Sequence, residues 1–230
     1  MKSFIFTLIT FLVIGCSGKS DSKKKATKII DSEFVEVYEE PRHQLVFENK
    51  DFKVLDIQIK AGDTTLFHRH RNPMFYTSLG WQKSTSQLLN SEWNKTGSEE
   101  WMTGGTGTNA SYVTQPMIHR VTNTGTKLSR LIGVLNTSKS ASTSNTSAIN
   151  KASNRWFRSE RIELIPGDTL NYQKSEFPIV IILVSGDEIE VIKNNKSSIH
   201  NKKWLQVEER SQLINSNESK IEIIQIEVLN

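Results

Sequence analysis

The sequence predicts an all-β protein made of two strand-rich units, and three observations carry that expectation. Apolar residues alternate with polar ones at period two along several stretches, as half-buried strands require. A Gly-Asp-Thr turn occurs twice, each time followed by Pro and Gly at nearly equal offsets. Between residues 137 and 150, eight of fourteen positions are Ser or Thr and none is aromatic, the composition of a linker between folded units.

Taken in order, the chain opens with Met1-Lys2-Ser3 and an apolar run that ends in Val13-Ile14-Gly15-Cys16. A short basic start before about a dozen apolar residues reads as a secretory signal, too short to span a bilayer comfortably. The last four residues resemble the lipobox of bacterial lipoproteins. That resemblance implies cleavage after residue 15, acylation of the Cys16 thiol, and a protein held in the bacterial cell envelope by its lipid, at the periplasmic or outer-membrane face. Residues 16–33, with the run Lys23-Lys24-Lys25, read as a solvated tether.

In the first unit Leu55, Ile57 and Ile59 alternate with Asp56, Gln58 and Lys60. In the second, Ile162 and Leu164 flank Glu163, Ile189 and Val191 flank Glu190, and the run Ile221–Val228 repeats the theme. The adjacent pair Ile223-Ile224 predicts a one-residue slip, hence a β-bulge. Pro178–Val184 is apolar throughout and predicts a strand buried on both faces. No amphipathic helix is predicted after the signal. Ile59-Lys60-Ala61-Gly62-Asp63-Thr64 has its counterpart in Leu164-Ile165-Pro166-Gly167-Asp168-Thr169. Pro73 and Pro178 each follow the turn glycine by eleven residues, and Gly80 and Gly186 follow by 18 and 19. Such offsets predict a duplicated unit, the first over 34–136 and the second over 151–230.

Composition narrows the function. The 230 residues are 36% hydrophobic, with 10 Phe and 5 Trp, enough for a real core. A net charge of +4 from 29 basic and 25 acidic residues is too balanced to argue for a nucleic-acid partner. A single Cys excludes a disulfide framework and any multi-Cys zinc site.

The histidines carry the chemistry. In His68-Arg69-His70, strand parity places both imidazoles on one face and Arg69 and Arg71 on the other. His119, arriving from a distant strand, would complete a facial set of nitrogen ligands. Such a set suits Fe, Mn, Ni, Cu or Zn and leaves coordination positions open. Asn72, Met74 and Tyr76 share the parity of the pair and are expected to line the same cavity.

Gly62-x5-His68-x-His70 closing at Gly80, with His119-x3-Asn123 downstream, resembles the two conserved motifs of the cupin superfamily. The resemblance covers residues 34–136. It implies a small jelly-roll-like β-barrel holding one divalent metal ion at His68, His70 and His119, with Asn123 beside them. Two departures stand out. The family's Glu ligand would fall at 74 or 75, where this chain has Met74 and Phe75, and Thr114 and Pro116 occupy the Pro-x-Gly positions of the second motif. A carboxylate restored at position 74 is therefore expected to tighten the binding of hard ions. In the second unit Gln173 and Ser175 stand at the ligand offsets, so that unit reads as a degenerate, metal-free cupin domain serving packing or homodimer support.

His43, before the first core strand, reads as a surface or lid residue, and His200, among Lys and Asn, as solvent-facing. The insertion from Trp81 to Tyr112 carries Trp81, Trp93, Trp101 and the run Gly104-Gly105-Thr106-Gly107. No Lys-Ser/Thr follows the glycines, which argues against a phosphate cradle. The segment reads as a long loop at the barrel mouth, its Trp rings either stacking on a ligand or packing beneath the loop. Function is left between two classes. One is a metal-dependent cupin enzyme on a small molecule, a dioxygenase or a sugar isomerase or lyase; the other is a non-catalytic lipoprotein that binds a small ligand or carbohydrate.

Overall fold

A computed structural model describes residues 34–138 and 154–229. Cys16, the tether and most of the Ser/Thr-rich stretch lie outside the described residues. The first unit runs β1 (Val35–Glu36), β2 (His43–Glu48), β3 (Phe52–Ile59), β4 (His68–His70), β5 (Met74–Ser78), β6 (Ser84–Leu88), β7 (Thr106–Asn109), β8 (Met117–Asn123) and β9 (Ser129–Asn136). The second runs β10 (Phe157–Leu164), β11 (Thr169–Tyr172), β12 (Ile179–Leu183), β13 (Ile189–Lys193), β14 (Lys196–His200), β15 (Trp204–Val207), β16 (Ser211–Ile214) and β17 (Ile221–Val228). Among the described residues the one helical element is a single 3-10 turn, Ser111–Val113.

Each unit is a pair of four- or five-stranded sheets. The first has the orders β1-β4-β8-β6 and β2-β3-β9-β5-β7, and the second β10-β17-β12-β15 and β11-β16-β13-β14. Pairing is antiparallel apart from β1 beside β4. The repeat forecast from the two Gly-Asp turns is present in detail. Gly62 and Gly167 both take positive φ, 76° and 85°, a conformation that glycine adopts without the Cβ penalty. The amide of Gly62 donates to the Asn123 carbonyl and that of Gly167 to the Asn215 carbonyl, so each turn is pinned by an asparagine at the end of a distant strand.

Strand parity sorts the core into three groups. On β3 the odd positions Leu55, Ile57 and Ile59 face the interior of the first barrel, while Phe52 and Val54 face outward. Those outward residues, with Phe75, Ile132 and Val134, meet Val180, Ile182, Ile224, Ile226 and Val228 of the second unit in one continuous core. Phe75 and Phe157 lie 5.8 Å apart between ring centroids at this junction. The buried Asn136 amide donates across it to the carbonyls of Trp156 (3.1 Å) and Leu229 (2.7 Å). The facing sheets of the two barrels therefore share their apolar filling, and β12 is buried on both faces.

The bulge expected at Ile223-Ile224 does not occur. β17 keeps one register against β10 along its whole length. Ile221 and Ile223 fill the second barrel while Ile224, Ile226 and Val228 fill the junction, so neighbouring isoleucines record a strand buried on two sides. The irregularity falls instead in β2, between Leu45 and Phe47.

Candidate metal centre

β4 is three residues long, with His68 and His70 buried and Arg69 turned outward against Glu36. In the antiparallel ladder His68 lies directly opposite His119 and His70 opposite Met117. Opposed residues in such a ladder share a face, so the three imidazoles project together into the first barrel. Their ligand atoms all lie within 4.8 Å of one another. The Nε2 atoms of His70 and His119 are 3.0 Å apart, and the His68 ring centroid stands 5.0 Å from that of His70 and 4.6 Å from that of His119.

Burial governs the electrostatics. Desolvation is the leading cause that pushes the His68 and His119 pKa values down to about 3, and it carries His70 well below the ordinary imidazole range. All three rings are neutral at pH 7. The Nδ1 of His68 donates to the Leu66 carbonyl at 3.0 Å, which fixes the proton there and leaves Nε2 as a bare lone pair.

The donor set fits a divalent ion. One proton at most can sit between the facing nitrogens of His70 and His119, and the third lone pair of His68 adds no proton to share. The buried Nδ1 of His70 has no hydrogen-bond partner. The 3.0 Å separation matches adjacent ligands around one ion at bond lengths of about 2.1 Å.

The histidines line a cavity of about 360 Å³. Ile57 and Ile59 of β3, Tyr76 of β5, Val121 of β8 and Leu131 of β9 form much of its wall. The insertion supplies the rest. Trp81 and Trp101 pair backbone to backbone (3.0 Å), Ser84 pairs with Ser98, and both Trp side chains together with Tyr112 reach the lining. Trp93 lies instead under the Arg120 guanidinium, 4.9 Å from the ring centroid. Tyr76 and Tyr112 are hydrogen-bonded to each other, and burial raises both phenol pKa values, so both remain protonated.

Of the residues expected at the cavity, Tyr76 lines it and Asn72, Met74 and Asn123 do not. Met74 and Tyr76 do share the inward face of β5, but the chain changes sheet at Pro73 and Met74 packs in the barrel's apolar cluster away from the histidines. The Asn72 amide is turned to the Asn136 carbonyl at 3.2 Å. Met74 is fully buried in the barrel's apolar cluster, its methyl packed over Gly133, where an added Cβ would come within 2.6 Å. Asn123 is consumed by the turn: its amide donates to the carbonyls of Ile59 (2.9 Å) and Lys127 (2.8 Å).

His43 was missed. The surface or lid position expected for it is wrong, because β2 brings it in from the facing sheet opposite Ile57. It is buried, its Nδ1 donates to the Val37 carbonyl at 2.9 Å, and its ring lies 4.6 Å from that of His68. Desolvation lowers its pKa to about 4. The segment Glu40-Pro41-Arg42-His43 has no periodicity that would have signalled this. His200 is half-buried, with Nε2 at 2.7 Å from the Trp204 carbonyl.

A larger, more open hollow of about 780 Å³ lies by Gln173 and Ser175, lined by side chains of both charges. The second barrel's interior is filled by Ile181, Leu183, Ile189, Leu213 and their neighbours, so no equivalent of the histidine cavity exists in it among the described residues.

Comparison with solved structures places this architecture. A cupin 2 conserved barrel domain protein from Leptotrichia buccalis superposes with a TM-score of 0.51 at 8% identity, over 80% of this chain and 86% of that one. The fold is the cupin fold. AerE from Microcystis aeruginosa matches with a TM-score of 0.56 at 11% identity, over 83% of this chain and 99% of its own. The salicylate 1,2-dioxygenase of Pseudoaminobacter salicylatoxidans, as adducts with gentisate, matches at 0.55 and 11%, over 80% and 70%. At these identities the likeness is one of fold. No protein-family model matches the chain, and no curated protein matches it.

Proposed function

We propose that this chain is a metal-dependent cupin protein of the bacterial envelope, tethered through an acylated Cys16, whose first barrel holds one divalent ion at His68, His70 and His119 and acts there on a small molecule. The observation that carries this reading is the convergence of three imidazoles, two buried and one half-buried, on one point of a cavity. Fe, Mn, Ni, Cu or Zn in such a site supplies Lewis-acid polarisation of a bound oxygen and, in the case of Fe(II), activation of dioxygen. The solved structures of similar fold include a dioxygenase and a decarboxylase, so both oxygen chemistry and lyase or isomerase chemistry on a small molecule stay within this reading.

The chain's own groups have definite roles in this reading. The Leu66 carbonyl orients the His68 ring and fixes its tautomer. Ile57, Ile59 and Leu131 exclude water from the ligand's flank. His43, with its proton on Nδ1, presents Nε2 as an acceptor on the opposite sheet. Tyr76 and Tyr112 keep their hydroxyl protons.

A second reading, a binding lipoprotein without turnover, is favoured by one feature: no Asp or Glu lines the cavity among the described residues, so a carboxylate general base is missing. Elemental analysis of the purified protein beside His68→Ala tests the metal. One ion per chain, lost in the variant, is expected; equal metal in both would refute the site. Dioxygen uptake with candidate substrates then separates enzyme from binder.

A further inference from the structure

We infer that the histidine cavity selects an uncharged, ring-bearing, largely apolar small molecule and discriminates against carboxylates and sugar acids. This rests on the cavity's being the functional site, as proposed above, and adds the chemical class of its ligand.

The first argument is the whereabouts of the nearby charges. No Lys, Arg, Asp or Glu lines the cavity among the described residues. The cations closest in sequence to the histidines alternate with them and so project outward. Arg69 and Arg71 are both paired with Glu36. Arg120 donates to Gln87 at 2.7 Å and lies over the rings of Phe67 and Trp93. The two remaining candidates are bound elsewhere, Arg130 to Asp56 at 2.7 Å and Arg42 to Asp63 at 2.9 Å. Apart from the ion itself, a carboxylate would therefore meet no cationic side chain in the lining and would forfeit its hydration.

The second argument is the state of the polar groups. A sugar needs several free donors and acceptors, and several of those in this wall are already paired with one another. Ser84 and Ser98 bond to each other at 2.6 Å, the Asn94 side-chain oxygen accepts from the amide and hydroxyl of Thr96, and Tyr76 is joined to Tyr112. Flat aromatic faces at the mouth and aliphatic side chains within complement a ring. A volume of about 360 Å³ stands at the small end of ligand sites and suits one ring with short substituents.

The test is calorimetric titration of the full chain, metal-free and zinc-loaded, with three probes: 4-ethylphenol, 4-hydroxyphenylacetate and glucuronate. In the metal-free form the phenol should bind about tenfold or more tightly than the shape-matched carboxylate, and glucuronate should be weakest. Trp101 is 38% exposed at the rim, so Trp101→Lys places a cation at the mouth without opening the core; it should cut the phenol's preference about tenfold. Equal or reversed preference in the metal-free native chain, absence of saturable phenol binding at millimolar concentration, or an unchanged ratio in Trp101→Lys would each overturn the inference. Zinc stoichiometry is read separately. A chain that loads zinc yet, when metal-free, prefers the carboxylate refutes the ligand class alone, whereas one that prefers the phenol yet loads no zinc refutes the metal reading alone.

Discussion

Asn123 and Asn215 perform the same task in the two barrels. Each sends its side-chain amide to the last carbonyl of the strand before the Gly-Asp turn, Ile59 in one unit and Leu164 in the other, both at 2.9 Å. Each also donates to a carbonyl four residues on, Lys127 or Ser219. Both are fully buried. Removing either amide strands one buried carbonyl, Ile59 or Leu164, so Asn123→Ala and Asn215→Ala should each cost about 1–3 kcal/mol in urea unfolding. A loss below about 0.5 kcal/mol at either position would show that water replaces the amide freely there.

The shared core makes the second barrel a structural necessity for the first. Ending the chain at residue 150 would uncover Phe52, Val54, Phe75, Ile132 and Val134, all essentially inaccessible in the fold. At about 1.5–3 kcal/mol for each buried side chain, the loss is on the order of ten kcal/mol, comparable to the whole stability of a domain. The shortened protein should aggregate or fail to fold, as light scattering and circular dichroism would register. A monomeric shortened chain as stable as the whole would mean that the junction adds little.

What the sequence revealed and what it hid divide along a physical line. Period-two parity is local, so the inner face of β3, the His68–His70 pair and the turn at Gly62 could be read directly. Parity gives the face but not the depth, which is why Tyr76 lines the cavity while Met74, on the same inward face of β5, packs in the apolar cluster, and why Asn72, beside the change of sheet at Pro73, turns to Asn136 instead. Ile223-Ile224 mimicked a bulge because a strand buried on both faces loses the alternation that marks register. His43 depends on long-range pairing with Ile57, for which nearby residues hold no record, whereas Trp81 and Trp101 of the aromatic-bearing loop do reach the cavity. The Asn123–Asn215 correspondence was the one missed signal within reach, since both residues follow a strand and precede a polar turn.

The buried histidines set a pH dependence of stability. His68 and His119 titrate at about 3 and His43 at about 4 when folded, against about 6.5 when unfolded. Between these values the unfolded chain binds more protons, so stability is full above about pH 6.5 and falls as the pH drops towards 4. Each such histidine steepens the fall by about 1.4 kcal/mol per pH unit. His43→Gln should flatten the slope by about one proton, measured by urea unfolding across pH 4–7. Metal affinity, too, should weaken well below pH 6.5, because the imidazoles of the folded protein are already neutral there. A steep loss of zinc binding centred near pH 6.5 would show that the rings are better hydrated than their burial implies.

The lipid anchor has its own test. Cys16→Ser removes the only thiol in the chain, so acylation by that route becomes impossible. The variant should lose radiolabelled palmitate incorporation and leave the membrane fraction or retain its signal segment. A mature N-terminus mapped elsewhere, with the variant still membrane-bound, would remove the lipoprotein reading and leave the barrel chemistry untouched.

Met74→Glu turns the sequence expectation around. The cupin motif suggests that a carboxylate there would join the metal ligands, yet Met74 is fully buried among apolar side chains with its methyl over Gly133 and outside the cavity lining. A glutamate of similar length would bring its charge into that cluster, where no cation lies among the lining residues. The cost is several kcal/mol, which the side chain can reduce only by staying protonated, so its pKa must rise above the ordinary 4.3 or so. A raised carboxylate pKa penalises the folded state fully above that pKa, and the penalty shrinks as the pH falls towards about 4. Met74→Glu should therefore be markedly less stable at pH 8 than the parent, and the difference should narrow at pH 5, with no gain in zinc or manganese affinity at either. Tighter metal binding by the variant, accompanied by restored stability when the ion is added, would instead mean that the β5 side chain reaches the His68–His70–His119 centre and that the apolar cluster yields to admit it.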